Sequence, residues 1–146
     1  PGKEARHNIG YWKRVPYLGV GLGAASLIGE VRYSNIREIE AYIKACGNIS
    51  TQEIDGVTAL NLHESADAIS RHAQMEEFMF LGLRMLRGVT RTEFKETFGV
   101  EIEAVYGEVL NQLQEEDLIE KKAGVIKLSD HGMDISNYVL AQFLLD

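Results

Sequence analysis

One stretch of the chain has a strict helical period, and it limits the possible folds more than any other feature. Its apolar residues are spaced by three and four positions: Ile102, Val105, Tyr106, Val109, Leu110 and Leu113. This spacing places them on one face of a helix over about 101–117. The runs that follow, 118–122 and 125–128, are joined by Ala123-Gly124 and predict a β-hairpin.

Further helices are predicted before this helix and hairpin. One runs from Ser65 to about Arg87, and Gly82 inside it is expected to let another helix approach closely. A short helix then begins at a capping box, in which Thr90 and Glu93 satisfy each other's backbone N–H groups.

The last predicted helix is capped by Ser129. Its expected core contacts are Met133, Ile135, Tyr138, Val139 and Phe143. The second half therefore has the order helix, helix, helix, hairpin, helix, which is that of a winged helix. With the strand and helix predicted in the first half, this order indicates an α+β fold.

Residues 19–26, GVGLGAAS, fit the G-x-G-x-x-G/A pattern of a dinucleotide-binding loop, with Ala24 in the third glycine position. The short apolar run Tyr17–Val20 predicts a buried strand at the start of this segment. A dinucleotide-binding fold needs a second parallel strand, and none is evident after Gly47. The residue types therefore favour close packing of two backbones at a strand end.

A helix is predicted from Ser34 or Asn35 to about Cys46, and residues 48–63, which lack a clear helical period, are expected to form a linker. Cys46 is the single cysteine of the sequence. It cannot form an internal disulfide, which favours a reducing cytoplasm as the location. Nor can one cysteine alone hold an iron–sulfur cluster.

The net charge of −7 is carried entirely by the second half, since residues 75–146 contain 7 basic and 14 acidic side chains. The predicted helix at 101–117 has six acidic residues and no Lys or Arg. A helix that reads the major groove needs donors for phosphates and base edges, so nucleic-acid binding is not expected. No apolar run is long enough to predict a transmembrane segment.

A polar and aromatic cluster lies near the start of the chain, at residues 6–12. Such a cluster can line a ligand pocket, and it can equally form a hydrogen-bonded loop anchored by Trp12. His63 and His72 are nine positions apart and would not share a helix face, so no metal site is expected from the protein alone.

Several motifs occur in the same order in one known family. They are Arg6-His7-Asn8-x-x-Tyr11-Trp12, Tyr17-Leu18-Gly19-x-Gly21-x-Gly23-Ala24-x-Ser26, Arg32-Tyr33-x-Asn35, Glu77 to Arg84 followed by Gly88-Val89, and Ser136-Asn137-Tyr138-Val139. Together they make the chain resemble the carboxy-terminal part of the radical S-adenosylmethionine proteins called oxygen-independent coproporphyrinogen III oxidase-like. Most members of that family are regarded as heme chaperones. The resemblance covers essentially the whole chain.

The resemblance implies the terminal piece of a (β/α) barrel followed by a mostly helical, winged-helix-like domain. Residues 1–47 would form the end of the barrel, 48–63 a linker, and 64–146 the second domain. In the family, three cysteines near the amino end of the barrel hold a [4Fe–4S] cluster that binds S-adenosylmethionine. That barrel half is expected to be missing here, so the chain alone should hold none of these cofactors and be inactive.

The resemblance also implies contacts with S-adenosylmethionine. Gly21, Gly23, Ala24 and Ala25 are expected to contact this cofactor, with an alanine packing on its adenine. Chaperone-type members commonly have His where this chain has Ala25, so no imidazole role is carried over to that position. No catalytic residue and no metal ligand is expected in this chain.

A second group of residues, Arg6, His7, Asn8 and Tyr11, is expected on the same rim, where His7 would meet heme or substrate. Three functions stay open. The first is a heme chaperone that delivers heme to acceptor proteins. The second is a coproporphyrinogen III oxidase, which performs an oxidative decarboxylation in porphyrin biosynthesis. The third is a stand-alone winged-helix module for protein interaction.

Overall fold

A computed structural model describes residues 5–47 and 61–145 of the chain, and most of the predicted linker at 48–63 lies outside these ranges. The described residues mix helices and strands and form two compact units. The first unit joins the residues up to Arg14 to those from Ser70 onward, and the second is Val15–Ile69. The predicted division into 1–47, 48–63 and 64–146 stays a prediction.

The second unit is built on a three-stranded antiparallel sheet with the strand order β1-β2-β3. Its elements are β1 (Ala25–Ile28), β2 (Val31–Asn35), α2 (Ile39–Gly47) and β3 (His63–Ala68). Gly29 and Glu30 join β1 to β2 with φ angles of 57° and 62°. Positive φ at both central residues is the geometry of a tight hairpin turn, whose twist matches that of the flanking strands.

One sequence prediction for this unit is wrong, and two predicted helices have the wrong start. Tyr17–Val20 is not a buried strand: Tyr17 makes a single bridge to Leu27, and Val20 is 85% exposed. The helix predicted from Ser34 or Asn35 begins only at Ile39, because Asn35 is the last residue of β2. The segment from Ser65, predicted as helix, starts in β3, which is bonded to β2.

The first unit contains six helices and a second antiparallel sheet, whose strand order is β4-β6-β5, among the described residues. Its elements are α1 (Arg6–Trp12), α3 (Arg71–Gly82), β4 (Val89–Thr90), α4 (Arg91–Phe98), α5 (Ile102–Glu115), β5 (Ile119–Lys122), β6 (Val125–Leu128), α6 (Asp130–Asp134) and α7 (Ser136–Ala141). The predicted periodic helix and the hairpin after it are confirmed by α5 and by the β5–β6 pair.

The predicted capping box at the start of α4 is confirmed as well. Thr90 Oγ1 accepts a hydrogen bond from Glu93 N at 3.0 Å, and the Glu93 carboxylate accepts one from Thr90 N at 3.3 Å. Burial acts to raise the pKa of Glu93, but hydrogen bonds from Arg87 and Thr90 outweigh it and hold this pKa below its ordinary value.

The ends of the first unit's other helices differ from prediction. Helix α3 begins at Arg71, after the N-cap Ser70, and ends at Gly82. A Cβ added at Gly82 would lie 2.1 Å from Val89 Cγ1, so the close neighbour of this glycine is strand β4 and not another helix.

The last predicted helix is broken at Ile135 into α6 and α7. The break turns Met133, Ile135 and Tyr138 outward, with exposures of 42%, 40% and 46%. The prediction that these three are core contacts is wrong, and Val139 and Phe143 alone of the predicted set are buried.

The core of the first unit is aromatic at its centre. Phe94 is fully buried, and its ring lies 4.8 Å from that of Phe98, 5.4 Å from Phe78 and 6.1 Å from Tyr106, measured between centroids. Burial, reinforced by the charge of Glu76, raises the pKa of the Tyr106 hydroxyl well above its ordinary value. Buried apolar and aromatic area therefore stabilises this unit.

Candidate functional site

The glycine-rich loop, residues 19–25, lies between Tyr17 and strand β1 in the second unit. Gly21 has a φ of 107° and Gly23 a φ of 65°, values that favour glycine. A Cβ added at Gly19 would lie 2.1 Å from the carbonyl oxygen of Ala25. The close backbone packing predicted from the glycines is therefore confirmed at Gly19.

Backbone and hydroxyl groups close the glycine-rich loop at its two ends. Gly19 N donates to Ser26 Oγ at 3.0 Å, and Gly23 N donates to the carbonyl oxygen of Ile36 at 3.1 Å. Asn35 N donates to the carbonyl oxygen of Ala24 at 2.9 Å. These bonds hold the loop against the end of β2.

The buried side chain of Asn35 crosses under the loop. Its Nδ2 donates to the carbonyl oxygen of Gly21 at 2.8 Å and approaches that of Gly19 at 3.4 Å. Its Oδ1 lies 2.9 Å from Nδ1 of His63. Asn35 is 4% exposed and Ser26 1% exposed, so the polar groups that hold the loop are removed from water.

Tyr42 of helix α2 approaches the same loop. Burial and then the neighbouring Cys46 thiol raise the pKa of the Tyr42 hydroxyl, while a hydrogen bond from the backbone of Gly21 acts in the opposite direction. Gly21 is thus held through its carbonyl oxygen by Asn35, and Tyr42 lies close to it.

The outer face of the loop is open. Gly23 and Ala25 are exposed, Gly21 and Ala24 are half-buried, and a Cβ added at Gly21 would meet no heavy atom of the described residues within 4 Å. Residues 19–25 contain no titratable side chain. This arrangement offers a ligand an open surface of glycine backbone and alanine methyl groups, and it suits binding rather than proton transfer.

The second predicted group of site residues lies on α1, which is a helix and not the predicted loop. Arg6, His7 and Asn8 are exposed, and Tyr11 is 40% exposed. His7 and Tyr11 are four positions apart and therefore neighbours on one helix face, with ring centroids 4.7 Å apart. The helix thus presents an imidazole beside an aromatic ring.

Helix α1 also borders a groove on the first unit. The groove has a volume of about 600 Å³ and is lined by Ala5, Ile9, Trp12, Lys13, Arg84, Met85, Leu86 and Arg87. Arg14, just after α1, pairs with Glu77 of α3 at 3.0 Å, and both side chains are largely buried. An apolar floor beside basic side chains suits an amphipathic ligand that carries carboxylates.

The structure brings together the four predicted loop residues, and it separately brings together the four predicted residues of α1. The two groups belong to different units. Sequence reasoning missed the roles of Ser26, Asn35 and His63 under the loop. The motifs contained Ser26 and Asn35, but His63 is 28 positions from Asn35, and the pairing of β2 with β3 that joins them was not foreseen.

Within residues 5–47 and 61–145, no group of three or more His, Cys, Asp or Glu side chains is placed to hold a metal ion. The chain has one cysteine, so its residues do not fit a cluster held by three cysteines. Across the same residues, no helix has the length and apolar character needed to cross a membrane.

Comparison with known proteins adds three findings. Residues 69–135 match the family model of the HemN C-terminal domain. The chain is 34% identical over 146 residues to the heme chaperone HemW of Lactococcus lactis, covering all of this chain and 35% of that protein. It is 32% identical over 143 residues to the heme chaperone HemW of Bacillus subtilis, covering 98% of this chain and 35% of the relative.

A solved structure is similar in fold. It is the coproporphyrinogen III oxidase HemN of Escherichia coli, described as a radical SAM enzyme, with a TM-score of 0.62 and 18% identity. The match covers 87% of this chain and 28% of the enzyme. The chain therefore spans about a third of the length of the proteins that it resembles, in sequence and in fold.

Proposed function

We propose that the chain is the carboxy-terminal part of a radical SAM heme chaperone, since residues 69–135 match the family model of the HemN C-terminal domain. Such a protein binds heme and delivers it to acceptor proteins. The observation that carries the proposal is the similarity to a heme chaperone over all 146 residues of the chain.

The proposal gives each unit a part in the larger protein. Val15–Ile69 contributes the end of a (β/α) barrel, and the helices and hairpin from Ser70 onward form a winged-helix-like domain. Leu18, Val20 and Leu22 of the second unit are 68%, 85% and 47% exposed, which supports an apolar partner surface supplied by the missing barrel half.

The glycine-rich loop is proposed to contact S-adenosylmethionine. The open surface at Gly21 and the exposed methyl group of Ala25 fit a flat adenine that packs on the loop. The [4Fe–4S] cluster, which supplies electrons to this cofactor in the family, requires cysteines outside this chain. The loop binds and orients, and it supplies no acid or base.

Helix α1 is proposed to meet heme. Heme is a flat apolar ring with two carboxylates, and a neutral imidazole is a common ligand of its iron. The exposed His7 offers that imidazole, and Tyr11 lies beside it. Lys13 and Arg84, which line the neighbouring groove, offer cations to the carboxylates.

A heme titration of the full-length protein tests the proposal. The wild type is compared with His7→Ala and with His72→Ala, a control at another exposed helical histidine. We expect His7→Ala to weaken heme affinity about tenfold or more, the usual scale for loss of one good ligand contact, and His72→Ala to leave it unchanged. Equal affinity of the wild type and His7→Ala would exclude the assigned role of α1.

Sequencing of the coding DNA upstream of Pro1 is the companion experiment. We expect it to encode a barrel with three clustered cysteines. If a start codon lies directly upstream and no such cysteines are encoded, the radical SAM assignment fails. Heme binding would then have to be explained by this chain alone.

A further inference from the structure

We propose that Asn35 and His63 are positioning residues that hold the glycine-rich loop in its cofactor-binding shape before S-adenosylmethionine arrives. The inference rests on the proposed function of the loop. Asn35 lies beneath the loop and His63 behind Asn35, so neither residue belongs to the outer face proposed to meet the ligand.

The direction of the hydrogen bonds fixes the role of Asn35. The carbonyl oxygens of Gly21 and Gly19 can only accept, so the amide nitrogen of Asn35 must face them, at 2.8 and 3.4 Å. The amide oxygen is then left to face His63, at 2.9 Å from Nδ1. Asn35 is buried, so replacing its amide would leave the Gly21 carbonyl and the His63 N–H without a hydrogen-bond partner, and water could not take its place.

The same logic fixes the proton of His63. Because the Asn35 oxygen can only accept, Nδ1 of His63 must carry a hydrogen, in the neutral ring as well as in the protonated ring. The His63 ring is further held by Tyr33, whose centroid lies 4.8 Å away at an interplanar angle of 35°. His63 thereby orients Asn35, and Asn35 orients Gly21.

The loop needs this support because of its own composition. Glycines have the largest backbone freedom of all residues, and Gly21 and Gly23 both lie at positive φ. A loop that is ordered only on ligand binding loses affinity to the entropy of that ordering. Because the Gly21 carbonyl is already bound by the buried Asn35 amide, this loop avoids that loss of affinity.

The test measures affinity for S-adenosylmethionine by equilibrium dialysis, using the full-length protein with its cluster. Asn35→Asp removes the donor and places a carboxylate against two carbonyl oxygens, so we expect the largest loss, more than about tenfold. His63→Ala is expected to give a smaller loss. His63→Asn, whose amide nitrogen can take the place of Nδ1, is expected to restore most of the affinity.

Two further readouts separate positioning from general damage. Heme affinity, assigned to α1 in the other unit, should be unchanged in all three variants. In ¹⁵N spectra of the wild-type chain, the neutral His63 ring should show its proton on Nδ1. A neutral ring protonated on Nε2 alone would overturn the inference, as would wild-type affinity for S-adenosylmethionine in both Asn35→Asp and His63→Ala.

Ala25→Trp distinguishes this failure from failure of the proposed function. If Ala25→Trp abolishes cofactor binding and the Asn35 and His63 variants do not, the loop binds the cofactor and the positioning role is wrong. If Ala25→Trp also binds normally, the loop is not the cofactor site and both proposals fall. Loss of heme affinity together with cofactor affinity in every variant would indicate misfolding and would also overturn the positioning role.

Discussion

The two units of the chain are stabilised by different means. The first has a continuous core of buried apolar and aromatic residues, from Met75 on α3 to Phe143 near the end of the chain. In the described part of the second, Leu27 is the one large hydrophobic residue that is buried, and the other buried residues are Ser26 and Asn35. The first unit has the core of an independent domain, while the second is held by strand pairing and polar contacts.

Removing the centre of the first core should have the largest effect. Phe94→Ala is expected to lower the free energy of unfolding by about 3–5 kcal/mol, because the cavity left among three aromatic rings cannot collapse. Urea unfolding followed by the fluorescence of Trp12, the single tryptophan, reports on this unit. Tyr138→Ala, at a site 46% exposed, is the control and should cost far less. If Phe94→Ala and Tyr138→Ala lowered the free energy of unfolding by similar amounts, the aromatic core would not be the main source of stability in this unit.

Two helical glycines of the first unit differ in how closely they are packed, and substituting each one tests the close packing of this unit. Gly82→Ala would place a Cβ 2.1 Å from Val89 Cγ1 and should destabilise by about 1–3 kcal/mol, because β4 must shift. Gly107→Ala, within α5, meets no heavy atom of the described residues within 4 Å and should stabilise by about 1 kcal/mol through helix propensity. The same Trp12 unfolding curves measure both variants. If both changed the free energy of unfolding in the same direction, the packing described for α3 and β4 would be contradicted.

The smallest expected effect is the pH dependence of the capping box. The folded-state pKa of Glu93 is held below its ordinary value of 4.5, so its stabilisation is fully present above pH 4.5 and is lost as the pH falls through the lowered value. Because Glu93 and Arg87 are partly exposed, the contribution should be below about 1 kcal/mol. Glu93→Gln should remove this part of the acid sensitivity, with Glu96→Gln as the exposed control on the same helix. If the free energy of unfolding of Glu93→Gln depended on pH between 3 and 6 as that of the wild type does, Glu93 would not cause this acid sensitivity.

Periodicity and capping chemistry were enough to predict α4, α5 and the β5–β6 hairpin, since each has a local signal. The strands of the second unit were missed for equally local reasons. β3 has the sequence HESADA and no alternation of apolar residues, because most of its side chains are exposed. Its place is decided by pairing with β2, which lies far away in the sequence.

For the candidate site, sequence patterns found the residues on the outer face and missed the residues beneath the glycine-rich loop. The glycines and alanines of the loop and the cluster on α1 belong to recognisable motifs. The bond between His63 and Asn35 depends on the register of β2 and β3, where a bulge lies between Ser34 and Asn35. A contact between distant positions leaves no local pattern in a single sequence.

Cys46 gives the molecule a practical use. It is the single thiol of the chain, it is exposed, and its neighbour Tyr42 lies close to Gly21. On this chain alone, a thiol-reactive dye or spin label would therefore attach at one defined position, on the helix beside the glycine-rich loop. The signal of that probe would follow the loop in real time as the chain unfolds and refolds.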